Sequence, residues 1–342
     1  MTMDEIKQKL KEPEYDFLRN DEHLGKNIIF LTVGGSHAYG TNIEGSDLDI
    51  RGIALNSKEE ILLNKDFGQI VDVETDTTIY SVKKAIYQLL DSNPNTLEIL
   101  FVKPEQIIYM SDIGRALYEN RHIFLSKDCF RSFICYAKDQ LRRLDNKSMR
   151  TQSQEQQEIH ILNSIKGMIH YFKKKYTSFE DDSINLYIDK SNQKDMETEI
   201  YMDIHLTHYP LRDYKGMWSE MHNVVKDYKK VGKRASNAIL HQKVNKHSMH
   251  LVRLILNCIT ILKTGTYTTH CEEHLPLLMS IRNKKYMIND TECSEEFFAL
   301  VNNLEADAKV AYENSILPDF PDIERAEKLL YDINELVILD SI

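Results

Sequence analysis

Hydrophobic and polar positions divide the chain into an α/β front and a helical remainder. Residues 4–12 place Ile6 and Leu10 on one helical face. Ile28 to Val33 is an apolar run of strand length, followed by the breaker Gly34-Gly35-Ser36-His37-Ala38-Tyr39-Gly40. Leu48 to Leu55 alternates well enough for a second strand, and residues 58–63 read as a turn of helix. Gln69 to Ser81 alternates strictly. Asp72, Glu74, Asp76, Thr78 and Tyr80 fall on one face, with Val71, Val73, Thr75, Thr77 and Ile79 on the other, which predicts one strand with a polar face.

The period changes to helical at Val82, where Val82, Ala85, Ile86, Leu89 and Leu90 share a face. Asn93-Pro94 punctuates before a short helix from Thr96 to Val102, and residues 112–122 and 126–145 are further helix candidates. Beyond them, helices are predicted over 155–176, 213–230, 234–264, 294–313 and 322–338. Segment 177–212 reads as polar and irregular. The expectation is an α/β (α+β) N-terminal domain with a small mixed sheet over residues 1–145. A mostly α-helical domain over 146–342 would complete the site.

Composition excludes classes without choosing an activity. No stretch of the 342 residues is apolar for long enough to span a membrane, and the N-terminus lacks a signal-peptide pattern. The five cysteines are odd in number and form no C-x-x-C pair, which argues against a disulfide framework and fits a cytoplasmic location. A net charge of −10 gives no global footprint for nucleic acid, although local basic clusters can still hold phosphates.

The chemistry lies in Gly34-Gly35-Ser36, Gly40 and Ser46-Asp47-Leu48-Asp49. A strand ending in Gly-Gly-Ser lets backbone amides approach an anion closely, and Ser36 adds a hydroxyl donor. Asp47 and Asp49 are two apart on a predicted strand, so their carboxylates share a face and repel unless a cation lies between them. Mg²⁺, or Mn²⁺ second, suits such hard oxygen donors. A phosphate cradle beside paired carboxylates is the equipment of nucleotidyl transfer. A third carboxylate is expected from the polar face at 72–76. Asp76 is favoured, and Asp72 and Glu74 share its parity and remain alternatives.

These residues resemble the signature of the DNA polymerase beta-like nucleotidyltransferase superfamily, which pairs a Gly-Ser turn with Asp-x-Asp and a downstream carboxylate. One branch, the RNA repair pathway DNA polymerase beta family, is similar over more of the chain. Its Gly-Ser-x-Ala-Tyr-Gly is matched by Gly35 to Gly40, and its Ser-Asp-x-Asp-x-Arg-Gly by Ser46 to Gly52. Its Asp-led strand, Lys-bearing helix and Asn-Pro-x-x-Leu-Glu correspond to Asp76, Lys83 or Lys84, and Asn93 to Glu98. Further on, His250-Leu251-Val252-Arg253-Leu254 and Ile281-Arg282 match its later motifs, with Asn283 standing where the branch has Gly. The resemblance implies a metal-dependent transfer of NMP from an NTP to an acceptor hydroxyl. The acceptor it implies is an RNA 3′ end, possibly that of a tRNA. Small-molecule, nucleotide or protein acceptors, and a non-catalytic nucleotide-binding partner, share the same core motif.

In the helical half, Lys246, His250, Arg253 and Asn257 fall within an arc of about 60° at helical spacing. Lys246, His250, Arg253 and, by resemblance, Arg282 are the candidates for contacting nucleotide alongside Gly35 and Ser36. Two further basic zones could hold RNA backbone or simply be charged helix surface. One is Arg142, Arg143, Lys147 and Arg150. The other is Lys226, Lys229, Lys230, Lys233 and Arg234, with Tyr228 among them. The histidine pairs His205/His208 and His270/His274 lack the second ligand pair a structural zinc requires, and are read as non-metal.

Overall fold

The computed structural model describes residues 1–137, 184–192, 198–211, 214–215, 218, 244–289 and 292–339. Its centre is a five-stranded mixed sheet in the order β3-β4-β2-β1-β5. The strands are β1 (Ile28–Val33), β2 (Ile50–Ala54), β3 (Gln69–Asp72), β4 (Thr77–Ser81) and β5 (Ile107–Met110). β1 is antiparallel to both β2 and β5, β2 is parallel to β4, and β3 is antiparallel to β4. β1 is buried along its whole length, which is why its sequence does not alternate.

Helices α1 (Met3–Lys9), α2 (Phe17–Asn20), α3 (Gly35–Tyr39), α4 (Lys58–Leu62), α5 (Val82–Leu90), α6 (Pro94–Leu100) and α7 (Asp112–Glu119) accompany the sheet. Their ends follow local chemistry. Thr2 and Ser57 close capping boxes with Glu5 and Glu60, Ser81 caps α5, and Asn93-Pro94 starts α6 with a cap and a preset proline. Ile6, Leu10, Tyr15, Leu31, Ile50 and Ile79 belong to one buried cluster against the sheet. Each fully buried Ile or Leu side chain contributes roughly 1.5–3 kcal/mol.

Downstream come α8 (Val244–Thr264), α9 (Leu275–Arg282), α10 (Glu295–Asn314) and α11 (Ile323–Ile338). The compact unit is discontinuous. Residues 1–141 cluster with 245–286 and 294–342, so the late helices complete the α/β unit where a single boundary near residue 145 was expected. Backbone bonds join these parts: Thr269 N–H to Phe101 O (3.0 Å), Lys127 N–H to Pro318 O (2.8 Å) and Asp322 N–H to Ile123 O (2.9 Å). The second unit comprises residues 142–244 and 287–293. In it β6 (Ile184–Lys190) and β7 (Thr198–Ile204) form an antiparallel hairpin, with Tyr187 stacked on Tyr201. A short ribbon of β8 (Met287–Asn289) and β9 (Glu292–Cys293) also belongs to it.

Several expectations need correction. The alternating run 69–81 is a hairpin of β3 and β4, because residues 73–76 turn. The Gly-Gly-Ser breaker leads straight into the short helix α3, which the sequence pattern does not predict. Segment 177–212 contains the β6–β7 hairpin, and β5 and α9 were not anticipated. The helix candidate 126–145 is described only to residue 137, and is helical over 129–137. Candidates 155–176 and most of 213–230 lie outside the described residues, as do both distal basic zones.

Candidate active site

The site is assembled at one end of β1, β2 and β4. The chain leaves β1 at Gly34, turns through Gly35 at φ +51° and enters α3. Residues 41–49 then bring it back antiparallel, and the Gly34 amide donates to Asp49 O at 2.8 Å. Asp49 therefore lies opposite the glycine turn, one residue before β2. A Cβ on Gly35 would sit 1.9 Å from Asp49 Oδ2, and a Cβ on Gly34 would sit 2.7 Å from Arg51 Cγ. Only glycine leaves room for the carboxylate to press against this backbone.

Asp76 closes the β3–β4 turn with φ +47°, and its carbonyl accepts from the Ile50 amide at 3.2 Å. That bond registers Asp76 beside Asp49. Arg51, two residues after Asp49 and so on the same strand face, spans both carboxylates. Its Nη2 lies 3.0 Å from Asp49 Oδ1 and 3.2 Å from Asp76 Oδ1, and its Nη1 donates to Asp76 O. Burial pushes the Asp49 carboxyl up to about 7, and its hydrogen bond to Asp76 pushes in the same direction. Burial also pushes Asp76 up, but the bond from Asp49 and the charges of Arg51 and Lys246 outweigh it and hold Asp76 below its usual value. The two neighbouring carboxyls are thus pushed apart in acidity, Asp49 upward and Asp76 downward.

Of the alternatives for the third carboxylate, Asp72 is engaged elsewhere. Asp72 Oδ1 accepts from the Thr75 amide and the Thr75 hydroxyl, both at 2.9 Å, and so caps the turn. Glu74 is exposed on that turn. Asp47 is exposed just before Leu48, which is buried. Preceding it, Ser46 Oγ accepts from the Ile43 amide at 2.8 Å and from Arg282 Nη2 at 3.3 Å. Arg282 is thereby brought to the loop that carries Asp47, and burial lowers its basicity. His37, in α3, also contacts the Ser46 backbone.

The basic stripe on α8 divides. Lys246 is exposed and acts electrostatically on Asp76. Arg253 and Asn257 are buried, so the stripe is not a solvated face. Arg253 lies 3.5 Å over the Tyr39 ring, and its Nη2 is 2.7 Å from His250 Nδ1. Arg253 is therefore committed inward, and of the stripe Lys246 is the cation that faces outward.

Asp49 and Asp76 meet beside the glycine turn and offer carboxylate oxygens of the kind a hard divalent cation takes, with exposed Asp47 on the loop before β2. Between Asp49 and Asp76 that place is held by the Arg51 guanidinium. Among the described residues no three His, Cys, Asp or Glu side chains form a ready metal cage. Of the two histidine pairs, His270 and His274 have other partners. His270 Nε2 is 2.9 Å from Glu272, and His274 Nε2 is 3.0 Å from the Thr260 hydroxyl.

Three residues here are not among the site candidates of the sequence, although Arg51 and Glu98 lie within the family motifs matched above. Arg51 had a signal, since it shares parity with Asp49. Glu98 had another, a lone carboxylate in the apolar run Leu97-Glu98-Ile99-Leu100. Tyr267 had none, because only tertiary packing brings it to Tyr39.

No helix among the described residues is long and apolar enough to cross a membrane. No curated protein matches the chain, and no solved structure does. The model of the RNA repair pathway DNA polymerase beta family matches residues 3–176, just over half the chain, across the sheet and Asp47, Asp49 and Asp76. The chain belongs to the RNA repair pathway DNA polymerase beta family, and with it to the polymerase beta-like nucleotidyltransferases.

Proposed function

We propose that this protein transfers NMP from a nucleoside triphosphate to the 3′ hydroxyl of an RNA acceptor, tRNA among the candidates, with Mg²⁺ or Mn²⁺. The observation that carries the reading is the packing of Asp49 against Gly35, with Asp76 beside it and Arg51 across both. A phosphate-approach turn and a carboxylate pair meet at one point, as displacement at phosphorus requires. Asp47 and Asp49, with Asp76, would hold the metal. When bound, such an ion neutralises triphosphate charge and makes the attacking hydroxyl more acidic.

The chain's own residues supply the rest. Gly35 and Ser36 offer backbone and hydroxyl donors to the phosphates, and Lys246 adds a positive charge near Asp76. Arg282 supports the Asp47 loop through Ser46. Asp76, held ionised, accepts the proton from the acceptor hydroxyl. The new bond joins that oxygen to the α-phosphorus, the bond to the bridging oxygen breaks, and pyrophosphate leaves.

The test incubates each of the four α-labelled NTPs with protein, mixed cellular RNA and Mg²⁺ or Mn²⁺. Controls are EDTA and the Asp47→Ala/Asp49→Ala double variant. Label entering RNA with wild type and metal alone is the expected result, and it identifies the nucleotide. Pyrophosphate release with a cell extract but no labelled RNA would replace the RNA acceptor with a small molecule or protein. Transfer undiminished in the double variant would overturn the site.

A further inference from the structure

Helix α3, which starts at the phosphate-approach turn, is only five residues long and cannot satisfy its own end. Distant residues do so. Gln106 Nε2 donates to His37 O (2.9 Å) and Ala38 O (3.1 Å). The Thr269 hydroxyl donates to Ala38 O at 3.1 Å. The His270 ring lies so close over Gly40 that a Cβ there would come within 2.5 Å of it.

Tyr39, the last residue of α3, is the centre of a buried polar chain. Its hydroxyl donates to Glu98 Oε2 at 2.9 Å and lies 2.9 Å from the Tyr267 hydroxyl. Asn257 Nδ2 donates to Tyr267 at 3.2 Å. The direction is fixed by its ends: an amide N–H can only donate and a carboxylate can only accept. Tyr267 therefore donates to Tyr39, and Tyr39 to Glu98. All four residues are buried, and Arg253 covers the Tyr39 ring. Buried polar chains of this kind fix one geometry when every member is satisfied.

We infer that Tyr267 and Glu98 are positioning residues that act through Tyr39 to hold the Gly35–Ser36 turn against Asp49. Glu98 reaches Tyr39 from α6 and Tyr267 from the segment after α8, so the short helix is gripped from both sides. Neither residue lines the proposed phosphate site. This inference rests on the nucleotidyltransferase reading only for its effect on nucleotide, and the first measurement below needs no nucleotide.

Hydrogen exchange read by mass spectrometry on the full-length protein compares wild type with Tyr267→Phe, Glu98→Ala and Glu98→Gln. Tyr267→Phe and Glu98→Ala should speed exchange about tenfold in peptides spanning 34–42, the equivalent of one lost buried hydrogen bond. Peptides covering β1 serve as the internal control and should not change. Glu98→Gln keeps an acceptor for the Tyr39 hydroxyl and should restore slow exchange. Equal exchange at 34–42 in Tyr267→Phe and wild type would overturn the inference, as would acceleration spread evenly over the sheet. If Glu98→Ala does not fold, Tyr267→Phe alone decides, since it removes one hydroxyl and keeps the ring.

The second measurement takes the NTP that labels RNA and determines KM and kcat. Tyr267→Phe should raise KM about tenfold with kcat within about twofold. A loss in kcat alone would show that the turn's hold on phosphate is not what Tyr267 controls, and would overturn the inference. If wild type transfers no nucleotide at all, the nucleotidyltransferase reading fails while the exchange result still decides the positioning role.

Discussion

At the scale of residues, the site depends on a glycine whose missing Cβ is occupied by a carboxylate. Gly35→Ala should cost on the order of 10²-fold or more in transfer rate, because a displacement of about 1 Å at a reacting centre has that effect. Circular dichroism should show the fold retained, and steady-state transfer assays would measure the loss. The upward shift of the Asp49 carboxyl makes a second prediction. Its native pKa of about 7 exceeds the ordinary value near 3.9 of an unfolded chain. The native state binds the extra proton, so this contribution to stability is complete below about pH 4 and is lost as pH rises towards 7. Asp76 is shifted the other way, and its opposing slope falls below that window. In metal-free buffer Asp49→Asn should therefore melt above wild type at pH 8, with a flatter profile from pH 4 to 8, while losing transfer. A lower melting temperature at pH 8 would contradict the shift.

Among elements, the β3–β4 turn separates two carboxylates that the sequence made equivalent. Asp72 caps the turn through Thr75, and Asp76 faces Asp49 through Arg51. Losing a side-chain cap costs about 1 kcal/mol. Asp72→Ala should thus lower the melting temperature by a few degrees and reduce transfer only modestly. Asp76→Asn should reduce transfer by about 10²-fold or more with little change in melting. Comparing kcat and melting for the two variants checks the assignment, and equal kinetic losses would return Asp72 to candidacy. Helix α8 shows the same division within one element. Lys246→Ala should weaken NTP binding and leave stability nearly unchanged, whereas truncating Arg253 would destabilise the fold by uncovering Tyr39 and leaving Glu98 without its counter-charge.

For the whole molecule, the decisive feature is that the α/β unit is completed from the far end of the chain. A fragment of residues 1–145 lacks the partners of Phe101, Ile123 and Lys127, and the cover of Tyr39. It should fail to fold, giving a far-UV spectrum of disordered chain and rapid proteolysis. A protected, cooperatively melting fragment would show that the sheet and its local helices suffice. The net charge of −10 sets another expectation at this scale. RNA held by a few local cations on an acidic protein should bind weakly and lose affinity steeply as salt rises.

The sequence alone determined what nearest neighbours and short periods encode. The buried run Ile28–Val33 is a strand, Val82–Leu90 is an amphipathic helix, and Gly35, Asp47 and Asp49 stand at the spacing that identified the family. These follow from side-chain parity, capping and backbone freedom within a few residues. Strict alternation through 69–81 misled, because a hairpin preserves the period of two on either side of its turn. Parity also left Asp72, Glu74 and Asp76 equivalent. Tertiary structure distinguished them by setting the Ile50 amide on Asp76 O, a bond between residues 26 positions apart. The basic stripe of α8 was visible as a pattern, but which members face inward depended on Tyr39 and Glu98, which no local rule connects to it. Tyr267 entered the site for the same reason. Periodicity says which residues share a face, and only packing says what that face meets.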